Sequence, residues 1–304
     1  MPNNYLIVLL GPTGVGKTDL SISLSNTFNA PILSSDSRQF FREMKVGTAV
    51  PSDEQLRLAH HFFIGHKSVT ERYSCGMYEI DALNLLGQIF SAEPTALLVG
   101  GSGLYIDAVC QGIDDFPAPD TELRQTLLQQ LKEDGVEGLR AQLKILDPEY
   151  YRSVDLKNSQ RVLKAVEVCL QTGKTYTSFL TNPNKQRPFQ IIKIGVTRQR
   201  DELYARINQR VDEMMQHNLL DEVKGLYPLK HLNALNTVGY RELFDYIDGK
   251  YSLDEAVELI KRNTRRYAKR QLTWWARDTQ ITWFHPSQKD EIIKFLRNKL
   301  EIAH

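Results

Sequence analysis

Cysteine is scarce in this chain: Cys75, Cys110 and Cys169 are the only ones among 304 residues. They lie far apart and form no C-x-x-C pair, which argues against a zinc site and against a disulfide scaffold and fits a reducing compartment. Excess charge of one sign is also lacking. Lys and Arg total 38 against 37 Asp and Glu, so no global field draws the chain to a polyanion, and any such binding must come from local patches. No apolar run approaches membrane-spanning length, and the first apolar stretch is too short and lacks the basic flank of a secretory signal. A cytoplasmic protein with no membrane partner is the expectation. Internal repeats and low-complexity tracts are missing as well. The length allows a large core, as one domain with an insertion or as two domains.

What the chain does have is glycine where it counts. Residues 11–18 read Gly-Pro-Thr-Gly-Val-Gly-Lys-Thr and match the phosphate-loop pattern G-x-x-x-x-G-K-[ST] at every defined position. Before them, Tyr5 to Leu10 is an apolar run of strand length; after them, Leu20, Leu24 and Phe28 recur at helical spacing. In a strand–loop–helix setting, Gly11, Gly14 and Gly16 let the backbone turn its amides toward a phosphate, and the helix adds its positive end. Pro12, Thr13 and Val15 complete the loop. Lys17 is placed to reach a phosphate oxygen, and the Thr18 hydroxyl to hold Mg²⁺. The alternative is a glycine-rich turn with an exposed lysine.

Four apolar runs are predicted to form parallel strands: Tyr5–Leu10, Pro31–Ser34, Ala96–Gly100 and Gln190–Thr197. Helical patterns separate them, which implies an α/β sheet covered on both faces. From about Asp114 to Pro188 no convincing strand appears. Pro117 and Pro119 open that region, Asn182-Pro183 and Arg187-Pro188 close it, and Leu123, Leu127, Leu128, Leu131, then Val162, Leu163, Val166, Leu170 repeat at helical spacing. The expected fold is a P-loop NTPase-like α/β core with a mostly parallel sheet, in two parts (1–113 and 189–304), interrupted by a helical insertion domain (114–188). Helices are expected after the fourth strand at about 201–216, 219–226, 239–247 and 253–277.

Ligands of open α/β sheets sit outside the carboxyl ends of the strands. The second such end reads Ser34-Ser35-Asp36-Ser37-Arg38-Gln39 and brings an acid beside the phosphate loop. Asp36 is readable as a group near Mg²⁺, as a base acting on an acceptor, or as a cap of the next turn. The third end reads Val99-Gly100-Gly101-Ser102-Gly103-Leu104-Tyr105, where Ser102 either takes part in the site or closes a turn. It lacks the acid with which many P-loop NTPases hold Mg²⁺, which weakens the reading as a standard nucleotide hydrolase. Arg206 and Arg210 lie one helical turn apart, with Leu203, Ile207 and Met214 on the buried stripe. They either clamp a second phosphate cluster or pair with Asp212 or Glu213 on a solvated face. His60, His61 and His66 have no acid ligand pattern around them, and a structural role is expected.

Two segments carry local basic charge. Lys261, Arg262, Arg265, Arg266, Lys269, Arg270 and Arg277 cluster on one helix with no acid among them, ahead of Trp274 and Trp275. The insertion adds Arg161 and Lys164, near Lys157 and Arg152. Either is a solvated face, or the two together grip a polyanion.

In order along nearly the whole chain, these motifs resemble the tRNA dimethylallyltransferase (tRNA isopentenyltransferase) family, bacterial type. The resemblance rests on Gly11–Thr18; on Ser35–Gln39 followed by Met44, Val46-Gly47-Thr48-Ala49 and Pro51; and on His60-His61-Phe62 and Leu98–Tyr105. It continues through Ser159-Gln160-Arg161-Val162, Leu203–Met214, Val238-Gly239-Tyr240-Arg241 and Ala268–Trp274. Departures are Val15 where the family has Ser, Ser102 where Thr is usual, and Phe40-Phe41 in place of an aliphatic-Tyr pair.

The resemblance implies transfer of a dimethylallyl group from dimethylallyl diphosphate to N6 of the adenosine just 3′ of the anticodon, with Mg²⁺ as cofactor. Lys17, Thr18, Arg206 and Arg210 would neutralise the departing pyrophosphate, and Asp36 would take the amine proton. Ser102 would orient either a pyrophosphate oxygen or the amine. The implied contacts with the tRNA anticodon stem-loop fall on Asp36, Ser37, Arg38, Gln39, Ser102 and Arg124. They continue on Gln160, Arg161, Val162, Leu163 and Lys164, and on Gly239, Tyr240 and Arg241. Nothing in the sequence demands a partner chain, so a monomer is expected. Two rival readings stand: a P-loop small-molecule kinase with Asp36 as base, and a non-catalytic tRNA-binding protein.

Overall fold

The computed structural model describes residues 4–181 and 184–301. Asn182-Pro183, read above as closing the insertion, lies outside the described residues. The chain divides into two compact units, Gln111–Lys185 and the remainder on either side of it.

The larger unit is built on a six-stranded parallel sheet in the order β3-β2-β4-β1-β5-β6. Its strands are β1 (Tyr5–Leu10), β2 (Ile32–Ser34), β3 (His61–Phe62), β4 (Thr95–Gly100), β5 (Gln190–Val196) and β6 (Thr282–Phe284). The four expected strands are β1, β2, β4 and β5, with ends within a residue of the expected ones. The two edge strands were not foreseen, because two or three half-buried residues carry no readable alternation.

β1 explains the sheet. All six of its residues are buried. Leu6, Val8 and Leu10 join one core with Tyr78, Ala82 and Leu86 of helix Cys75–Ile89 and Ile106 and Val109 of helix Gly103–Gln111. Ile7 and Leu9 join a second core with Leu20 and Leu24 of helix Lys17–Phe28 and Leu203 and Ile207 of helix Arg200–Gln216. A strand covered on both faces needs a continuous apolar run, not an alternating one. A third core, mostly of helices, gathers Val211, Leu219, Tyr240, Leu243, Phe244 and Ile260 with Phe41, Met44 and Val69 from loops.

Helices Arg200–Gln216, Leu219–Leu226, Tyr240–Ile247 and Leu253–Trp275 lie where the sequence spacing predicts them. The last is the longest. Ser52 and Ser252 each open a helix with a reciprocal capping box, Ser252 pairing with Glu255. A further helix, Lys289–Glu301, was not expected; its Ile292 and Leu296 pack into the second core.

The chain leaves β1 toward β2 on one side and leaves β4 toward β5 on the other, and β1 and β4 are neighbours. That is a topological switch point, where the carboxyl ends of adjacent strands open a crevice.

The smaller unit is helical: Thr121–Asp134, Val136–Leu146, Pro148–Ser153 and Ser159–Thr172. Leu139, Leu143, Val162, Leu163 and Val166 are fully buried at its centre. Asp147 caps one helix through the Tyr150 amide (2.9 Å) and also accepts from the Thr177 amide (2.7 Å). Asn158 caps another, and Gly173 ends it in the left-handed conformation.

Candidate active site

Beyond β1 the chain turns through the phosphate loop into helix Lys17–Phe28. Gly14 and Gly16 adopt φ of 80° and 103°, the left-handed region that favours glycine. A Cβ at Gly14 would also stand 2.9 Å from Ile207 Cγ1. Val15 between them is fully buried in the second core and pins the loop from beneath. Lys17 Nζ donates to the carbonyls of Gly11 (2.8 Å) and Pro12 (3.0 Å), so the ammonium curls over the loop. Burial lowers its pKa to about 8; nearby Arg210 acts in the same sense and Asp36 opposes both. The hydroxyl of Thr18, one residue on, makes no hydrogen bond among the described residues.

Three arginines close on this loop. Arg198 Nε donates to Val15 O (2.8 Å), Arg206 Nε to Gly14 O (3.1 Å) and Arg210 Nη1 to Thr13 Oγ1 (3.3 Å). The pairing of Arg206 and Arg210 with Asp212 is not seen: Asp212 pairs with Lys261 (2.8 Å), and both arginines hydrogen-bond the loop, Arg210 half-buried and Arg206 exposed to solvent. The Arg210 guanidinium is depressed by burial, with Asp36 and Glu213 opposing.

The end of β2 comes up beside them. Asp36 Oδ1 accepts from the Arg38 amide (3.0 Å), and the Asp36 amide donates to Ser34 Oγ (3.3 Å). The capping role is therefore real but occupies one carboxylate oxygen; Oδ2 makes no hydrogen bond among the described residues. Ser102, after β4, is buried against this turn. Its hydroxyl accepts from the Ser37 amide (3.1 Å) and donates to Ser37 Oγ (3.2 Å). Gly100 lets the two turns meet, because a Cβ there would fall 2.2 Å from Ser35 Oγ. Tyr267, from helix Leu253–Trp275, reaches the same place. Its hydroxyl is pushed up to about 12 by burial and by Asp36, with Ser102 opposing.

A cavity of about 370 Å³ opens here. Thr13, Gly14, Asp36 and Arg210 line its polar side, and Val211, Met214 and Leu219 its apolar side. Arg38, Arg241, Tyr267 and Arg270 also reach it. A groove of about 450 Å³ lined by Leu83, Phe90 and Phe189 lies at the amino ends of β1 and β5 and contains no carboxylate.

The remaining expected tRNA contacts divide into three groups. Arg241 is exposed and lines the cavity, and Gly239, at φ 96°, starts the helix that carries it. Gln160 and Arg161 are exposed on the insertion, while Lys164 lies 5.8 Å from the centre of the Phe116 ring. The side chains of the others are engaged within the protein. Tyr240 is fully buried; its hydroxyl donates to Glu222 Oε1 (2.6 Å), which also accepts from the Gly47 amide, while Glu222 Oε2 accepts from the Lys45 and Val46 amides. Val162 and Leu163 are fully buried core side chains of the insertion. The Arg124 guanidinium is held by the wholly buried Glu167 carboxylate. Gln39 Nε2 donates to Thr48 O (3.2 Å) and Ala49 O (3.1 Å), and its Oε1 accepts from Ser34 Oγ, so the amide is taken up by the fold. Arg38 Nη1 is bonded to Asn233 O and Ala234 O, yet the side chain still lines the cavity.

The sequence reading missed Arg198, Tyr267 and Gln271. Arg198 was findable, since it follows the carboxyl end of a fourth strand. Tyr267 and Gln271 sit on a basic helix whose charges drew the eye from its buried face.

The family model described as IPP transferase matches residues 39–278. The chain belongs to the IPP transferase family. Its relatives include tRNA dimethylallyltransferase 1 of Bacteroides thetaiotaomicron, 53% identical over 96% of this chain and 95% of that protein. The tRNA dimethylallyltransferase of Christiangramia forsetii is 48% identical over 98% and 99%. Among solved structures, the tRNA isopentenylpyrophosphate transferase from Bacillus halodurans is 35% identical with a TM-score of 0.72, covering 98% of this chain and 97% of that one. The corresponding transferase from Staphylococcus epidermidis is 30% identical with a TM-score of 0.70, covering 98% and 100%. The P-loop NTPase-like α/β fold is thus shared within the IPP transferase family. As an IPP transferase, the chain is a prenyl-transferring enzyme.

Proposed function

We propose that this enzyme transfers the dimethylallyl group of dimethylallyl diphosphate to N6 of the adenosine 3′-adjacent to the anticodon of tRNA. The observation that carries the reading is the make-up of one cavity. Phosphate-loop residues, a carboxylate with a free oxygen and an apolar wall converge on it, as a donor with a charged head and a five-carbon tail requires.

The diphosphate is held by loop amides, Lys17, Arg206 and Arg210. The carbon–oxygen bond to the prenyl group breaks and the pyrophosphate leaves with the bond's electrons, its charge met by those fixed cations. The adenine amine forms the new carbon–nitrogen bond and loses a proton to Asp36 Oδ2. Because no phosphoryl group moves, the missing acid at the end of β4 is no handicap. The Thr18 hydroxyl, without a hydrogen-bond partner among the described residues, fits as a Mg²⁺ ligand alongside diphosphate oxygens and water, the hard donors this ion takes. Mg²⁺ would supply further neutralisation of the leaving group. The adenine must leave its stack at a cost of roughly a few kcal/mol. Contacts from Arg241, Gln160 and Arg161 would offset it.

Incubation with unmodified tRNA, Mg²⁺ and either prenyl-labelled donor or γ-labelled ATP tests the reading. Label entering tRNA only from the prenyl donor is expected. Phosphate transfer to a small acceptor would instead favour the kinase, and tRNA binding indifferent to the donor would favour the non-catalytic binder.

A further inference from the structure

Gln271 joins two turns that are far apart in sequence. Its Oε1 accepts from the Thr13 amide (2.9 Å), and its Nε2 donates to Gly101 O (2.7 Å). The side chain is buried. A carboxamide presents an acceptor and a donor side by side without charge at every ordinary pH, which a carboxyl does only when protonated. Both partners are one-way groups, an N–H and a C=O, so the orientation of the amide is fixed by the bonds it makes. Gly101 is shaped to receive it: a Cβ there would stand 2.3 Å from Gln271 Nε2.

The consequence for the phosphate loop is specific. The Thr13 amide is drawn to Gln271 and is removed from the set that faces a phosphate. Thr13 Oγ1 meets Arg210, and Arg210 faces the cavity. On the far side, Gly101 immediately precedes Ser102, which is bonded to the Asp36 turn. One buried amide therefore fixes the spacing between the loop that holds the donor and the turn that carries Ser102.

We propose that Gln271 is a positioning residue that sets the phosphate loop in its diphosphate-binding form. The proposal rests on reading the loop as a diphosphate cradle. Gln271→Met keeps the volume and removes both bonds, leaving a buried N–H and C=O unpaired. Affinity for inorganic pyrophosphate is expected to fall about 10-fold or more, the scale of an unmet buried polar group. KM for the donor should rise in parallel, while tRNA affinity stays within about twofold because the basic surfaces are untouched. Gln271→Glu supplies the conservative control. As a carboxylate it still accepts from Thr13 but opposes Gly101 O; as a neutral acid it restores both bonds. The ratio of its donor KM to that of the wild type at the same pH should therefore shrink as pH falls below neutrality, where Lys17 is charged in both proteins and the wild-type KM stays level.

Calorimetric titration with pyrophosphate, steady-state KM values for donor and tRNA, and the pH profile of the Glu variant decide the matter. If Gln271→Met does not fold, the Glu profile alone decides. Wild-type pyrophosphate affinity in the Met variant, or a Glu variant whose donor KM tracks the wild type at every pH, overturns the proposal. A wild-type protein that fails to bind pyrophosphate overturns the cradle reading itself.

Discussion

The cations of helix Arg200–Gln216 and those of helix Leu253–Trp275 meet opposite fates. On the first, Arg206 and Arg210 bend onto the phosphate loop, joined by Arg198 just ahead of it. Each satisfies a carbonyl or hydroxyl of the loop; Arg206 and Arg210 keep their charge beside it, while Arg198 is also ion-paired with Glu202. On the second, Arg262, Arg266 and Lys269 lie on one exposed face with no ion pair or hydrogen bond from their side chains among the described residues. Their neighbour Lys261 is neutralised by Asp212 and Glu258. A fold that leaves three cations in a row unpaired, while pairing the fourth, has charge to offer a polyanion. The first set suits a small, doubly charged head group; the second suits a backbone of spaced phosphates.

This contrast can be broken, starting from the carboxylate beside Lys17 and Arg210. Asp36→Ala should lower turnover by about 10²–10⁴ with tRNA affinity intact. Single-turnover rates beside a tRNA binding isotherm check it; near-normal turnover removes Asp36 from the chemistry.

Next in size, Arg210→Ala should reduce kcat/KM for the donor by about 10², the scale of one lost donor to a developing anion. The salt dependence of tRNA binding should not move. A change in that slope would erase the division between the two helices.

Proton uptake sharpens the first set. Lys17 has a pKa of about 8 in the free protein, against 10.5 ordinarily, because burial disfavours its charge. Its folded value is the lower one, so between these two pH values the unfolded chain binds more protons and the free protein gains stability as pH rises. A bound diphosphate needs the charged form. Donor affinity should therefore fall with pH above about 8, approaching tenfold per unit, and Lys17→Arg should flatten the trend. Donor KM measured from pH 7 to 9.5 checks both; a flat wild-type profile contradicts the buried-ammonium account.

The smallest effect concerns the second set. Replacing Arg262, Arg266 and Lys269 together by Ala should lower the slope of log K against log salt by about 2–3, with donor KM unchanged. An unaltered slope returns that face to ordinary solvated surface.

Much of the core fold was legible because its signals are local. The apolar run of β1, the glycines of the loop and the capped, periodic helices each announce themselves within a few residues. The active centre was legible only where a strand end exposes its motif: Asp36, Ser102 and Lys17 do converge. What the sequence hides is the direction in which neighbours within a motif point. Gln160 and Arg161 face solvent while Val162 and Leu163, next in line, build the insertion's core. Tyr240 belongs to the same motif as Arg241 but is buried against the Val46-Gly47 turn. Gln271 meets Thr13 across most of the chain, a pairing that no local pattern encodes.

Digestion of tRNA with a base-specific ribonuclease after reaction with dimethylallyl diphosphate, with the modified position mapped by the masses of the oligonucleotide fragments, tests the central claim most directly. The prenyl mass should appear on one adenosine, 3′-adjacent to the anticodon, and should vanish with Asp36→Ala. A tRNA recovered unmodified, or prenylated to the same extent by the Asp36 variant, would contradict the account.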